Sequence, residues 1–320
     1  MVTPGDTRGD SIGAYAPLHD GAADPTVVWN IQERSWWMLY TNRRADIESD
    51  GYAWVHGTDI GIASSSSGGA AWLYRGTVPG LELERGRNTF WAPEILLHKG
   101  VYHMYVSYVR GVPTTWNFDR DMLHYTSGNL WDWKLQRRLQ LSSHRVIDDC
   151  VHVLPDGRWR MWYKDESDGS HTLAADSADL FRWEVQGPVI TDCPHEGPNV
   201  FFWKGTYWMI TDPWQGLGVY RSEDAEHWSR QANILDRPGT RKDDGNIGSH
   251  ADILVQGDRA FIFYFVHPEM SRAADGGMPE SMPYAWRRSS IQAAELALED
   301  GVLRCDRDAA LSLDLKSPVS

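Results

Sequence analysis

Five short stretches of the chain place an ionisable residue at the head of an apolar, strand-like run: Asp24, Glu94, Asp148 with Asp149, Glu196 and His250. One such acid would be read as a turn cap. Four runs opening on an acid and a fifth on a histidine ask for chemistry, because carboxyls gathered near one axis raise one another's pKa and are costly to hold there. Two carboxyls with separated pKa values are what glycoside hydrolysis requires. One is protonated and donates to the leaving oxygen, while the other is ionised and activates water or attacks carbon. These residues permit that chemistry if the fold brings them together.

A repeat supplies the means. Strand–turn–strand units occur at 24–29 into 36–40, 94–97 into 101–105, 150–154 into 158–163, 199–203 into 206–210 and 251–255 into 260–264. Tight turns such as Lys99-Gly100, Asp156-Gly157, Lys204-Gly205 and Gly257-Asp258 join most of them, which is the hairpin signal. A second module follows most hairpins, made of small or hydroxyl residues, a polar turn and a Trp, at 63–72, 125–133, 175–183 and 220–228. Four copies in phase with five hairpins give four strands per unit, the blade of a β-propeller. An ordinary sandwich does not require the in-phase Trp, and no long segment keeps a helical apolar period.

The expected fold is therefore all-β, a five-bladed β-propeller in a single domain over 1–320, with helix confined to short turns. Its blades fall at roughly 20–75, 88–135, 145–185, 195–230 and 247–305. The outer strands of the fifth blade are placed at 289–296 and 301–305, and the last dozen residues form a tail or a ring-closing strand. If each innermost strand leaves the binding face and the second returns to it, the connections 41–58, 110–121, 164–171, 212–216 and 266–288 lie on that face. Long loops on one face of a rigid scaffold are usually functional. They carry Trp54, Trp116, Trp214, Tyr284 and Trp286, and indoles suit stacking against sugar rings.

Composition narrows the partners. The formal net charge of −13 argues against nucleic acid, which needs clustered Lys and Arg. No apolar run reaches the roughly 18 residues of a membrane span. The start of the chain has no apolar core like that of a secretory signal, so a cytoplasmic location is expected. The three cysteines, Cys150, Cys193 and Cys305, lack the spacing of a thiolate metal site. The 17 Trp and 13 Tyr fit both strand cores and a sugar-stacking surface. The oligomeric state is left open.

Five segments resemble the family 43 glycoside hydrolases, in the clan of five-bladed propellers that includes arabinanases and fructan-cleaving relatives. They are Ala23-Asp24-Pro25-Thr26-Val27-Val28, Phe90-Trp91-Ala92-Pro93-Glu94, Ile147-Asp148-Asp149-Cys150-Val151, His195-Glu196-Gly197-Pro198-Asn199-Val200 and Gly248-Ser249-His250, in the family's order. The resemblance implies an inverting glycosidase acting on an arabinoside, xyloside, galactoside or related glycoside or oligosaccharide. Asp24 is then the general base, Asp148 the acid that raises and orients the donor, and Glu196 the general acid. Burial beside Asp148 is expected to raise the pKa of Glu196. Trp91, Glu94, Asp149, Trp54, Trp116, Trp214, Trp286 and His250 make up the expected substrate-binding set. His250 resembles the axial histidine that in many members lies by a water-coordinated cation. No cofactor is required by this reading, and a calcium or sodium ion beside His250 is its one metal expectation. Glu94 stands where the family usually has Asp, and Asp149 where it usually has Pro, so Asp148 and Asp149 are alternatives for one role. The rival readings are a retaining fructosidase-type enzyme with Asp24 as nucleophile, and a sugar-binding propeller without catalysis. The first is disfavoured, since those relatives carry Asn-Asp-Pro-Asn, Arg-Asp-Pro and Glu-Cys tags.

Overall fold

The computed structural model describes residues 19–271 and 282–318. Each hairpin of the sequence repeat is present and runs on into two further strands, so that five four-stranded antiparallel sheets form in chain order. Blade 1 holds β1 (Ala22–Asn30), β2 (Ser35–Asn42), β3 (Asp59–Ser65) and β4 (Leu73–Thr77). Blade 2 holds β5 (Thr89–His98), β6 (Val101–Val109), β7 (Asp121–Ser127) and β8 (Lys134–Arg138). Blade 3 holds β9 (Val146–Val153), β10 (Trp159–Asp165), β11 (His171–Ser177) and β12 (Glu184–Ile190). Blade 4 holds β13 (Glu196–Trp203), β14 (Thr206–Asp212), β15 (Leu217–Ser222) and β16 (Ser229–Ile234). Blade 5 holds β17 (Ser249–Gln256), β18 (Arg259–Val266), β19 (Ser290–Glu299) and β20 (Val302–Cys305). The first strands, β1, β5, β9, β13 and β17, pack against one another around a common axis. Helix among the described residues is limited to α1 (Tyr284–Arg287) and one 3-10 turn at Glu166–Asp168. None is long and apolar enough to cross a membrane.

Burial explains the strand composition. Second strands have a neighbouring blade on both faces, so β2 reads Ser-Trp-Trp-Met-Leu-Tyr-Thr-Asn and is buried at every position. Outermost strands such as β8, Lys-Leu-Gln-Arg-Arg, meet solvent. Between blades 1 and 2 the core is Trp37, Leu39, Tyr102 and Met104, and analogous clusters fill the other seams.

The Trp-bearing module is a side-chain-locked turn between third and fourth strands. Ser127 Oγ accepts from the backbone N–H groups of Asn129 and Leu130, and Asn129 Oδ1 accepts from those of Trp131 and Asp132. Ser177 with Asp179 and Ser222 with Asp224 repeat the pattern. Short hydroxyl and Asx side chains offer this local alternative to a strand ladder, which is why the module ends one strand and starts the next.

Ring closure uses the tail and no shared strand. Blade 1 comes wholly from the beginning of the described chain and blade 5 from its end. Leu313 and Leu315 are buried against Trp36, Phe261 and Phe263, bridging the two blades. Trp36 Nε1 donates to the Leu315 carbonyl at 3.1 Å, and the Leu315 N–H donates to the Gly68 carbonyl at 2.9 Å. Of the two expectations for the last dozen residues, the tail is the one observed. Leu315→Ala is therefore expected to lower unfolding stability by about 2–5 kcal/mol, the usual range for a buried leucine truncation. A urea midpoint unchanged from the parent would show that the tail does not hold the ring.

Candidate active site

The inner strands break register near their heads, between Ala23 and Thr26, Trp91 and Glu94, Glu196 and Asn199, and Ser249 and Ala251, with a similar break in β9. At four of these bulges a residue adopts left-handed backbone: Asp24 (φ 49°), Ala92 (φ 44°), Asp148 (φ 54°) and Gly197 (φ 56°). A bulge re-aims the side chains around it and recurs next to active sites. These four residues share one blade position. Glu196 comes one residue before it and Glu94 two residues after it. The acids and His250 thus do not repeat a single register, as the sequence suggests, and the offset decides which of them meet.

Asp24, Asp148 and Glu196 meet in a pocket of about 590 Å³ lined by residues of all five blades. Trp54, Trp91, Trp116 and Trp214 line the same pocket. Trp91 and Trp116 stack, with ring centroids 5.7 Å apart and planes at 23°, and the Trp91 indole donates to the Val55 carbonyl at 2.6 Å.

Four residues expected at the site, Glu94, Asp149, Trp286 and His250, do not line it. Glu94 lies further along its strand, in a separate cavity with Cys150, Asn199 and Asp252. Asp149 alternates to the side of its strand opposite Asp148. It is buried, both its oxygens lack a hydrogen-bond partner, and Glu94 is its main charged neighbour. Of the two adjacent acids, Asp148 is the one that faces the pocket. Trp286 sits in α1, beyond the lining.

Two cations that the sequence does not flag complete the site. Arg43, just after β2, donates from one guanidinium nitrogen to both oxygens of Asp24, at 3.1 and 3.2 Å. Its other terminal nitrogen lies 3.3 Å from His267 Nε2. Lys164, near the end of β10, has only 3% of its side chain exposed and places Nζ 3.1 Å from Glu196 Oε2 and 3.5 Å from Glu166 Oε1. Asp212, the last residue of β14, stands opposite Glu196 in the ladder. It accepts from the backbone N–H groups of His250 and Trp214, at 3.0 and 2.8 Å. Their signal was topological, because second strands return to the face from which the inner strands leave.

These cations divide the carboxyls. Burial drives Asp148 up to about 7; His250 and Lys164 oppose this, while Glu196 and Asp24 reinforce it. Burial also pushes Glu196 up, but the Lys164 ammonium, hydrogen bonds from Trp214 and Lys164, and His250 outweigh it and hold Glu196 below the ordinary glutamate value. The expected rise at Glu196 is thus reversed by a lysine. Asp212 is raised to about 6, first by burial and then by Glu196.

No protein-family model and no curated protein matches the sequence. Solved structures do match the fold. One is a family 43 β-xylosidase/α-arabinofuranosidase from a compost microbial metagenome, in a calcium-free complex with xylotriose. It has a TM-score of 0.67 and 14% identity, over 94% of this chain and 99% of that one. A family 43 β-1,3-galactosidase bound to galactodeoxynojirimycin gives 0.62 and 14% over 89% and 93%. An exo-1,5-α-L-arabinanase from a bovine ruminal metagenomic library gives 0.61 and 14% over 91% and 99%. At these identities the likeness establishes the five-bladed propeller fold shared with those enzymes.

His250 is positioned by packing. Its ring lies against Gly197, where an added Cβ would come within 2.7 Å of it, so glycine is needed there for space as well as for φ. Its Nδ1 faces Asp24 Oδ1 at 3.6 Å and Asp148 Oδ2 at 3.9 Å. Among the described residues, the one cluster of three His, Cys, Asp or Glu ligand atoms within 4.8 Å of one another is Asp192, Cys193 and His195. No such direct coordination set gathers around His250. In the Asp192 cluster both His195 nitrogens are engaged, by Thr172 Oγ1 and the Cys193 carbonyl, and Asp192 holds Tyr220 and Arg230. Neither set of side chains fits a directly ligated ion.

A buried acid with a raised pKa binds its proton more tightly in the folded chain than in the unfolded one. Asp148 therefore contributes less stability as pH rises from about 4 toward 7. Asp148→Asn is expected to be more stable than the parent at pH 8, by on the order of a few kcal/mol, with the gain shrinking toward pH 4. Urea unfolding at the two pH values tests this, and an equal difference at both would refute it.

Proposed function

We propose that the protein is a glycoside hydrolase that cleaves a pentose-type or related glycosidic bond with inversion. The observation that carries the reading is the convergence of Asp24, Asp148 and Glu196, from three blades, in one indole-walled pocket. In this reading Asp24, held by Arg43, takes a proton from the attacking water, and the charge-assisted pair fixes its carboxylate for that task. Glu196 donates to the leaving oxygen, and 23% of its side chain is open to the pocket. Asp148, the acid that tunes the donor in this reading, lines the same pocket, and its own proton affinity is raised in part by Glu196. The four indoles offer apolar faces for a sugar ring. The enzymes of similar fold include a xylosidase with bound xylotriose, a galactosidase and an arabinanase, which supports an oligosaccharide substrate and gives the sugars to try first. No step is assigned to the calcium or sodium ion expected beside His250.

A panel of nitrophenyl xylosides, arabinofuranosides and galactosides tests the activity, and absence of hydrolysis across it would favour the sugar-binding reading. Glu196→Gln should lose about 10²–10⁴-fold on glycosides with poor leaving groups and be spared on acidic phenols, which depart with little protonation. Asp24→Asn should abolish both, since no leaving group replaces an activated water. Proton NMR of the first-formed sugar should show the anomer opposite to the substrate; the same anomer would make Asp24 a nucleophile.

A further inference from the structure

The donor assigned above has an ammonium group against it. Lys164 approaches Glu196 at 3.1 Å from the neighbouring blade, almost wholly buried, with Nζ 5.2 Å from the centre of the Trp214 ring. Behind it, Glu166 is gripped by Arg120 at 2.8 Å and Arg145 at 3.3 Å, and accepts from the Trp116 indole at 3.2 Å. Glu166 in turn lies 3.5 Å from the lysine. Surface ion pairs hold little, but a buried lysine between two carboxylates has nowhere else to place its charge.

We propose that Lys164, braced by Glu166, is a positioning residue that holds the Glu196 carboxylate in place and governs when Glu196 can bear the proton it must donate. This rests on the glycosidase reading for the use of that proton, but not for its location. The groups facing Glu196 from each packed element are Asp148 on β9, Lys164 on β10, Asp212 on β14 and His250 on β17, with Asp24 and Arg43 beyond Asp148. Asp148 and Asp212 are each raised by the nearby Glu196; Lys164 is the cation in hydrogen-bond contact with Glu196. Glu196 is accordingly held low while Asp148 is driven up to about 7. In the free protein Lys164 therefore favours the charged form of Glu196, and the proton that donation needs must be taken up against that ammonium. The enzyme's basic limb should then lie at acidic pH.

Two substitutions move that limb in opposite directions, which a purely structural role for Lys164 does not predict. Lys164→Met removes the cation and should raise the midpoint of Glu196 by about one pH unit or more. Glu166→Gln leaves the lysine but removes its second carboxylate, so the lysine serves Glu196 alone and the midpoint should fall. Lys164→Arg should restore the parent value. The readout is twofold: the Glu196 carboxyl followed by ¹³C NMR in the free protein, and the basic limb of kcat/KM on phenyl and 4-nitrophenyl glycosides of the sugar selected by the panel. Opposite shifts in the NMR titration support the proposal even if no glycoside is cleaved, a result that would sink the function and not the ion pair. If Lys164→Met does not fold, the downward shift in Glu166→Gln decides alone. A Glu196 midpoint unmoved in either folded variant overturns the proposal, whatever the leaving-group behaviour of Glu196→Gln.

Discussion

Five inner strands converge on one axis, and any charge at their heads is buried beside another. Everything at the mouth of this propeller answers to that crowding. Asp24, Asp148, Glu196 and Asp212 lie around one pocket, where water is scarce and like charges raise one another's proton affinity. Arg43 and Lys164 relieve it at two points, by ion pairs to Asp24 and Glu196, and no Lys or Arg among the described residues forms such a pair with Asp148. The result is a set of carboxyls around one pocket whose proton affinities are pushed in different directions, the condition that acid–base chemistry at one bond demands.

The backbone contributes by way of the bulges. A regular inner strand would send alternate side chains into the two adjoining seams. The left-handed residue at each bulge turns Asp24 and Asp148 toward the mouth, and Gly197 opens room for the His250 ring. Left-handed backbone costs an ordinary residue on the order of 1 kcal/mol. Aspartate bears that conformation better than most, because its short side chain can bond locally. Ala92 takes the same conformation in blade 2 without any group to aim. The bulge is therefore a property of the blade, and the carboxylates are placed on a bend that the repeat supplies anyway.

This division also sets what could be read beforehand. Hairpins, the locked Ser–Asx turn and the Trp after it follow local rules, so five blades and their long-loop face were legible. Asp24, Asp148 and Glu196 were legible as acids of inner-strand heads, and they line one pocket. The one- and two-residue offsets that move Glu94 out of the pocket were not, because a bulge changes register without changing strand composition. Lys164 lay hidden for a related reason: in Trp-Arg-Met-Trp-Tyr-Lys it looks like the polar end of a strand, and only three-dimensional closure sets it against Glu196. The pKa of Glu196 could not be right without it.

The far cavity shows what the cations do by their absence from it. Asp149 is as buried as the aspartates at the mouth and Glu94 and Asp252 are half-buried, yet no Lys or Arg among the described residues forms an ion pair with them. Glu94 is pushed up to about 8 by burial and then by Asp252, and Asp252 to about 6, chiefly by burial. These acids bond from strand to strand: Glu94 Oε1 accepts from the Val151 N–H, and Asp252 accepts from the Val27 N–H and the Asn199 amide, each tying blades together. One axis thus holds two groups of acids under the same desolvation. At the mouth, guanidinium and ammonium groups form ion pairs with Asp24 and Glu196; in the far cavity neutral donors hold Glu94 and Asp252, and the same residue types tie strand to strand.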